Sequence, residues 1–401
     1  MEGGIAAAHG LHDAEPRRLY LDNAATTWPK PEVVWQAIDR YQRENGAAAG
    51  RGAYRHALDA QRIVMEARRG VARLLNASDP RRVVWTANCT DALNLALHGY
   101  LRPGCHVVTT ENEHNSVLRP LRWWSDRYGV RVCFAPVDAA GFVQPASLAS
   151  LIRDDTRLVV VNHASNVTGA LQPLGELAAI VAAQGRAALL VDAAQTLGQV
   201  PWELDSDSRL LIAAAGHKGL LGPLGTGLLY IGPGLESELL PVRQGGSGTD
   251  SERATPPDSL PERFEAGNLN VPALAGLLAG MDFIERHGVP SIAAHHRELG
   301  NLLRVGLAAI PGVQVLGPTV DSPSVGVVSC VAESFEPHEL AAILDAEFGI
   351  EARAGLHCAP RIHAALGTSE RGGALRFSVG FATTAVEIEA TLLAVRTVVG
   401  G

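Results

Sequence analysis

Along the 401-residue chain, short unbroken apolar runs alternate with longer stretches in which apolar residues recur at helical spacing. The runs at 82–86, 106–110, 130–136, 157–162, 187–191 and 210–215 predict strands, and 19–22 predicts a shorter one. These runs are nearly continuous rather than alternating, so both faces of each strand are expected to be covered. The helical period fits 32–44, 56–76, a stretch opening at Asp91, 116–128, 145–153, 174–184 and 271–287. Strand followed by helix, repeated, predicts an α/β chain on a largely parallel sheet. The segment 45–54 reads as a glycine-rich loop, with Arg51 and Arg55 facing solvent or a partner subunit, and 242–262 as a long surface loop.

Chemistry enters where two runs stop. The run 187–191 ends in Asp192, with Gln195 close behind, and the run 210–215 delivers Gly216, His217 and Lys218. Neighbouring strands would put an acid and an amine at one sheet edge, where open α/β sheets take ligands. Lysine is the side chain that forms a Schiff base with an aldehyde. A carboxylate opposite a pyridine nitrogen keeps that ring an electron sink. Lys218 and Asp192 together therefore point to pyridoxal 5'-phosphate, against a helix cap and a solvated loop lysine.

Four other positions carry candidate chemistry. At 87–91 a strand turns into a helix, and its free amides with the Thr90 hydroxyl suit a phosphate, although Thr90 as a plain N-cap fits equally and Asp91 would repel an anion unless it points away. Asn166, in a loop after a strand, offers a donor and an acceptor, or a simple turn. Cys358 stands between His357 and Pro360 with Arg353 near, and adjacent positive charge favours the nucleophilic thiolate. Arg376 can hold a carboxylate with its planar fork, or form a surface ion pair. A lone loop histidine such as His114 is most often structural or solvated.

Nine segments in order, LYLDNAATTWPKP (19–31), TANCTDALNLAL (86–97), ENEHNSV (111–117), NHASNVTGALQPL (162–174), VDAAQ (191–195), AGHKGLLGPLGTGLLY (215–230), RFEAGNLN (263–270), RAGLHCAP (353–360) and LRFSVGFATT (375–384), resemble the class V aminotransferase-fold enzymes, and within them the group II cysteine desulfurases. The resemblance implies a fold-type-I enzyme: a large domain (19–266) on a mostly parallel seven-stranded sheet, and a smaller α+β domain (267–401) carrying the cysteine loop. It implies that L-cysteine is converted to L-alanine, with sulfur passing to Cys358 and then to an acceptor protein. By the same resemblance His114 stacks on the cofactor ring and helps move protons, and Gln195 meets the ring's 3-oxygen. Thr90 and His217 serve the phosphate, Cys89 lies in the cofactor site although a buried core thiol is its ordinary reading, and Asn268 reaches the cofactor from a neighbouring subunit of a homodimer. Asn166 belongs to cofactor and substrate alike, and Arg376, Arg353, Asn23 and Ala25 to the substrate.

Composition narrows the setting. A formal net charge of −8 without a basic cluster argues against nucleic acid and anionic membranes. Five cysteines without a CxxC pair suggest neither a disulfide framework nor a metal site, and suit a reducing cytoplasm. Residues 1–18 lack a basic start and an apolar core, and read as a loose arm rather than a signal peptide. Three positions depart from the family pattern: Ala215 and Asn268 where hydroxyls are expected, and Ser247 in a variable GG segment. A selenocysteine lyase, a C–S lyase for another cysteine conjugate, and a non-catalytic sulfur relay or scaffold are the alternatives.

Overall fold

The computed structural model describes residues 18–50, 52–248, 252 and 254–400; the arm up to residue 17, and Arg51, lie outside the described residues. The first part of the chain runs β1 (Leu19–Tyr20), α1 (Glu32–Arg40), α2 (Arg55–Leu74), β2 (Val83–Thr86), α3 (Cys89–Tyr100), β3 (His106–Thr110), α4 (Asn115–Tyr128) and β4 (Arg131–Ala135). It continues through α5 (Pro145–Leu151), β5 (Thr156–Asn162), α6 (Leu174–Ala183), β6 (Ala188–Asp192), β7 (Leu210–Ala215) and β8 (Gly227–Ile231). The last part holds α7 (Val271–His287), α8 (Val289–Ala308), β9 (Val313–Leu316), β10 (Val327–Ala332), α9 (Pro337–Phe348) and β11 (Ile350–Glu351). It closes with β12 (Arg353–Gly355), α10 (Pro360–Ala365), β13 (Ala374–Ser378) and α11 (Ala385–Gly400).

The large sheet has seven strands in the order β2-β8-β7-β6-β5-β3-β4, with only β8 antiparallel to its neighbours. Every residue of β6 and β7 is buried, as their continuous apolar runs require, and helices cover both faces. β8 was not among the expected strands, because GLLYI is short and opens on glycine. That glycine is needed: a Cβ on Gly227 would lie 2.3 Å from the Asn88 backbone, so its absence lets β8 pass against the turn opening α3.

Two expected element boundaries move for identifiable reasons. The helix expected over 32–44 stops at Arg40 and continues as a wider turn, Tyr41–Asn45, closed by Gly46 at φ 62°. The helix expected from Asp91 begins at Cys89, because the Asn88 side chain caps it, accepting from the Asp91 amide at 2.9 Å. Thr90 is therefore not the cap. The Asp91 carboxylate folds back to accept from the Ala87 amide at 3.0 Å.

A second, antiparallel sheet of order β12-β13-β10-β9 forms the C-terminal layer. β1 pairs in parallel with β11, and Leu19 and Leu21 pack in one core with Leu303, Val328 and Phe377. α7 turns its apolar stripe the other way, with Leu274, Leu277 and Met281 in the core of the large sheet. Among the described residues no helix is long and apolar enough to cross a membrane.

Candidate active site

Parallel pairing aligns the carboxyl ends of β5, β6 and β7, with Asn162 opposite Asp192 and Asp192 opposite Ala213. The turn after β7 then brings Gly216, His217 and Lys218 over the same edge, and a Cβ on Gly216 would lie 2.2 Å from the Thr226 hydroxyl, so only glycine passes there. Of the sequence candidates, Cys89, Thr90, His114, Asn166, Asp192, Gln195, His217 and Lys218 line one cavity at this edge.

Burial lowers the Lys218 amine below its ordinary pKa, and the cations Arg376 and Arg353 act in the same sense against the pull of Cys89 and Asp192. A larger share of free amine is the result, which a nucleophile needs. One oxygen of Asp192, Oδ1, accepts from the Ala194 amide at 2.9 Å and from the Cys89 thiol at 3.5 Å. Burial and the Asp192 charge push the Cys89 thiol pKa well up, so it stays a donor. Among the described residues Oδ2 takes no protein hydrogen bond, which leaves it to the cavity.

His114 caps α4. Its Nδ1 accepts from the Ser116 amide at 3.1 Å and lies 2.7 Å from the Ser116 hydroxyl. Burial takes its pKa down to about 4, so at neutral pH the ring is uncharged and carries its proton on Nε2. His217, likewise lowered to about 4 by burial and by Lys218 and Lys30, keeps a buried Nδ1 without a partner among the described residues. The Gln195 amide donates to the Ala24 carbonyl at 3.0 Å, tying the cavity floor to the segment after β1.

Asn166 joins three parts of the site. Its Nδ2 donates to the His357 carbonyl at 2.8 Å, its backbone carbonyl accepts from Arg376 Nη1 at 3.0 Å, and its Oδ1 is buried without a partner among the described residues. Arg376, on β13 and 1% exposed, also donates to Asp22 Oδ1 at 2.5 Å. The surface ion pair is thus not its arrangement.

Cys358 follows β12 in a loop where both His357 and Cys358 are left-handed, at φ 48° and 58°. The Cys358 carbonyl accepts from the Asn115 amide at 2.7 Å, and Arg353 Nη2 lies 3.7 Å from the thiol. Cys358 does not line the cavity itself; its loop is fastened to the cavity wall through Asn115 and Asn166. Arg353 and Arg376 do not line the cavity either, and three further candidates stand apart from it. Asn268 is exposed, and Ala25 is half-buried, with its amide donating to the Asp22 carbonyl at 3.0 Å. Asn23 spends its side chain on backbone, donating to the Ser378 carbonyl at 3.0 Å and accepting from the Trp28 amide at 3.2 Å.

Sequence reasoning missed three ionisable neighbours. Glu113 lies fully buried beside Asn162, with its carboxyl pushed up to about 8 by burial. Asp22 holds Arg376, and Lys30 donates to the His217 carbonyl at 2.6 Å. Each sits inside a motif-bearing segment, but only the scarcity of lysine, at positions 30 and 218 alone, could have singled one out.

The donor set fits pyridoxal phosphate. A desolvated amine and a carboxylate oxygen open to the same cavity suit its aldehyde and ring nitrogen. The unpartnered His217 Nδ1 and Asn166 Oδ1, with the amides opening the twelve-residue α3, suit its oxygens. No group of three or more His, Cys, Asp or Glu side chains could hold a metal among the described residues.

Comparison with known proteins agrees with this geometry. The chain is 37% identical over 376 residues to a probable cysteine desulfurase of Methanothermobacter thermautotrophicus, covering 92% of each. It is 32% identical over 376 residues to the cysteine desulfurase of Haloferax volcanii, covering 92% of this chain and 87% of the relative. Among solved structures, the apo cysteine desulfurase of Thermococcus onnurineus superposes with a TM-score of 0.86 at 31% identity, covering 96% of this chain and 95% of that one. The Escherichia coli cysteine desulfurase CsdA, in an S-sulfonic acid form, does so at 0.83 and 28%, covering 95% and 94%. The aminotransferase class-V family model matches residues 19–391, and with a seven-stranded sheet whose edge presents Asp192 and Lys218 together, the chain belongs to that family.

Proposed function

We propose that the chain is a pyridoxal-phosphate-dependent cysteine desulfurase. The observation that carries the reading is the cavity shared by Lys218 and Asp192, with the Cys358 loop pinned to its wall. The names of the relatives and of the superposing structures support it. Bound cofactor supplies an aldehyde for the substrate amine and a ring that withdraws electrons from its α-carbon.

The chain's own groups do the rest. Arg376 and Asn166 hold the substrate carboxylate, the first by charge and the second by its amide. Lys218, poised as a free amine, takes the α-proton. Cys358 as thiolate attacks the substrate sulfur, the substrate's carbon–sulfur bond breaks with its electrons left on carbon, and one proton delivered to the β-carbon and one returned to the α-carbon leave alanine and a Cys358 persulfide. Neutral His114, donating from Nε2 at the cavity wall, serves as a proton carrier. On this reading residues 19–266 form the cofactor domain and 267–401 the thiol-bearing one. Exposed Asn268 faces a second copy in a homodimer, and a cytoplasmic acceptor protein collects the sulfur.

The test is purified protein with cofactor, L-cysteine and reductant, scored for sulfide and alanine beside Lys218→Ala and Cys358→Ala. Equimolar sulfide and alanine, lost in both variants, is expected. Alanine from selenocysteine or another conjugate only, or turnover that survives Cys358→Ala, would replace the reading with a lyase. No product from any of these substrates would leave a scaffold.

A further inference from the structure

Lys30 is one of only two lysines in a chain with 34 lysines and arginines together, and both converge on one peptide unit. Lys30 is 9% exposed as a residue, and its ammonium donates to the His217 carbonyl, the group that immediately precedes Lys218 in the backbone, at 2.6 Å. That carbonyl already has partners: it accepts from the Thr27 amide at 3.1 Å and the Thr26 hydroxyl at 3.2 Å. The next carbonyl, that of Lys218, accepts from the Thr27 hydroxyl at 2.8 Å. Among the described residues no carboxylate pairs with Lys30, and its pKa falls to about 8 through burial.

These facts separate a structural from a functional lysine. A structural lysine would satisfy an otherwise orphaned acceptor or an acid, yet the His217 carbonyl has two other donors. A buried ammonium with a single acceptor costs stability, so its presence calls for a return elsewhere. We propose that Lys30 is a positioning residue for Lys218: with Thr26 and Thr27 it clamps the His217–Lys218 backbone, so that the amine emerges in one fixed direction. This rests on the proposed use of Lys218 as the cofactor-binding amine.

The clamp also reaches the other end of the site. Residues 26–30 follow Asp22, which holds Arg376, and Asn23, which donates to the Ser378 carbonyl beside it. The group that fixes the amine and the group that fixes the carboxylate-binding guanidinium therefore share one segment of nine residues, 22–30. Lys30 is where that segment grips the cofactor turn most strongly, through a charge-assisted hydrogen bond.

The test compares the unaltered chain with Lys30→Met, close in length and uncharged, at pH 7, where the ammonium is still charged. Each protein is stripped of cofactor and its melting temperature measured. Pyridoxal phosphate is then added, capture is followed by visible absorbance, and the product is reduced with borohydride and mapped. With two lysines in the sequence, the label falls on 218 or on 30 and nowhere else in the side chains. Lys30→Met is expected to melt no lower than the unaltered chain and to capture cofactor about tenfold more slowly. Capture at the unaltered rate, or a variant that melts lower or fails to fold, overturns the inference and makes Lys30 idle or structural. Absence of label at position 218 in the unaltered chain overturns the proposed function as well, so the two failures are told apart.

Discussion

Asn166→Ala tests how the thiol is held. The Asn166 amide is the donor to the His357 carbonyl, and His357 is 2% exposed, so truncation leaves that carbonyl buried and unpaired. An unsatisfied buried acceptor costs about 1–3 kcal/mol. The same hydrogen bond helps hold His357 and Cys358 in consecutive left-handed conformations, each of which costs a residue with a side chain about 1–2 kcal/mol. Without the latch both penalties are relieved by one motion, withdrawal of the loop that carries the thiol. A shift of about 1.4 kcal/mol already changes the latched population tenfold, so sulfur release should fall about 10- to 100-fold. The companion assay is alkylation of Cys358 by iodoacetamide, mapped against Cys105 and Cys133, which are likewise half-buried. Alkylation of Cys358 alone should accelerate while the melting temperature stays nearly constant. An unchanged alkylation rate together with reduced turnover would refute the latch and leave Asn166 a ligand-binding residue only.

Glu113, raised to about 8 by burial, binds a proton in the folded chain that the unfolded chain, with an ordinary carboxyl near 4.5, has lost. Stability from this group therefore declines as pH rises from about 4.5 to 8, and Glu113→Gln should flatten that slope in melting curves, gaining most above pH 8. Glu265→Gln strands Arg68, a buried partner at 2.6 Å, and should cost about 3–5 kcal/mol in denaturant unfolding. A loss below about 1 kcal/mol would mean the guanidinium finds another acceptor. Ala215→Ser restores a hydroxyl on the cavity wall, and a hydrogen bond to a charged phosphate of about 1.5–3 kcal/mol should tighten cofactor binding at least tenfold by fluorescence titration. Unchanged affinity would show that the hydroxyl is already replaced.

The parts of the fold that were legible are those whose physics is local. Leu158 to Val161 and Leu210 to Ala215 are strands on both readings, because burial on two faces demands unbroken apolar sequence. Asp192 and Lys218 stood out because polar groups terminate those runs. What stayed hidden depends on partners far along the chain. Nothing near Asn23 announces that its amide is claimed by the Ser378 carbonyl, 355 positions away. His114 gave no sign that its Nδ1 would cap α4, since histidine is a rare cap. Asn88 and Thr90 are both acceptable caps in sequence, and the structure uses the first, whose backbone packs against Gly227.

The pairing of Leu19 with Ile350 has a consequence for the birth of the molecule. A ribosome adding roughly 5–20 residues per second exposes the first strand tens of seconds before its mate exists. During that interval Leu19 and Leu21 have no shelter, and Asp22 has no guanidinium to grip. Nascent chains stalled short of residue 350 should therefore offer this stretch to chaperones, and the active centre can be assembled only once Arg376 has been added.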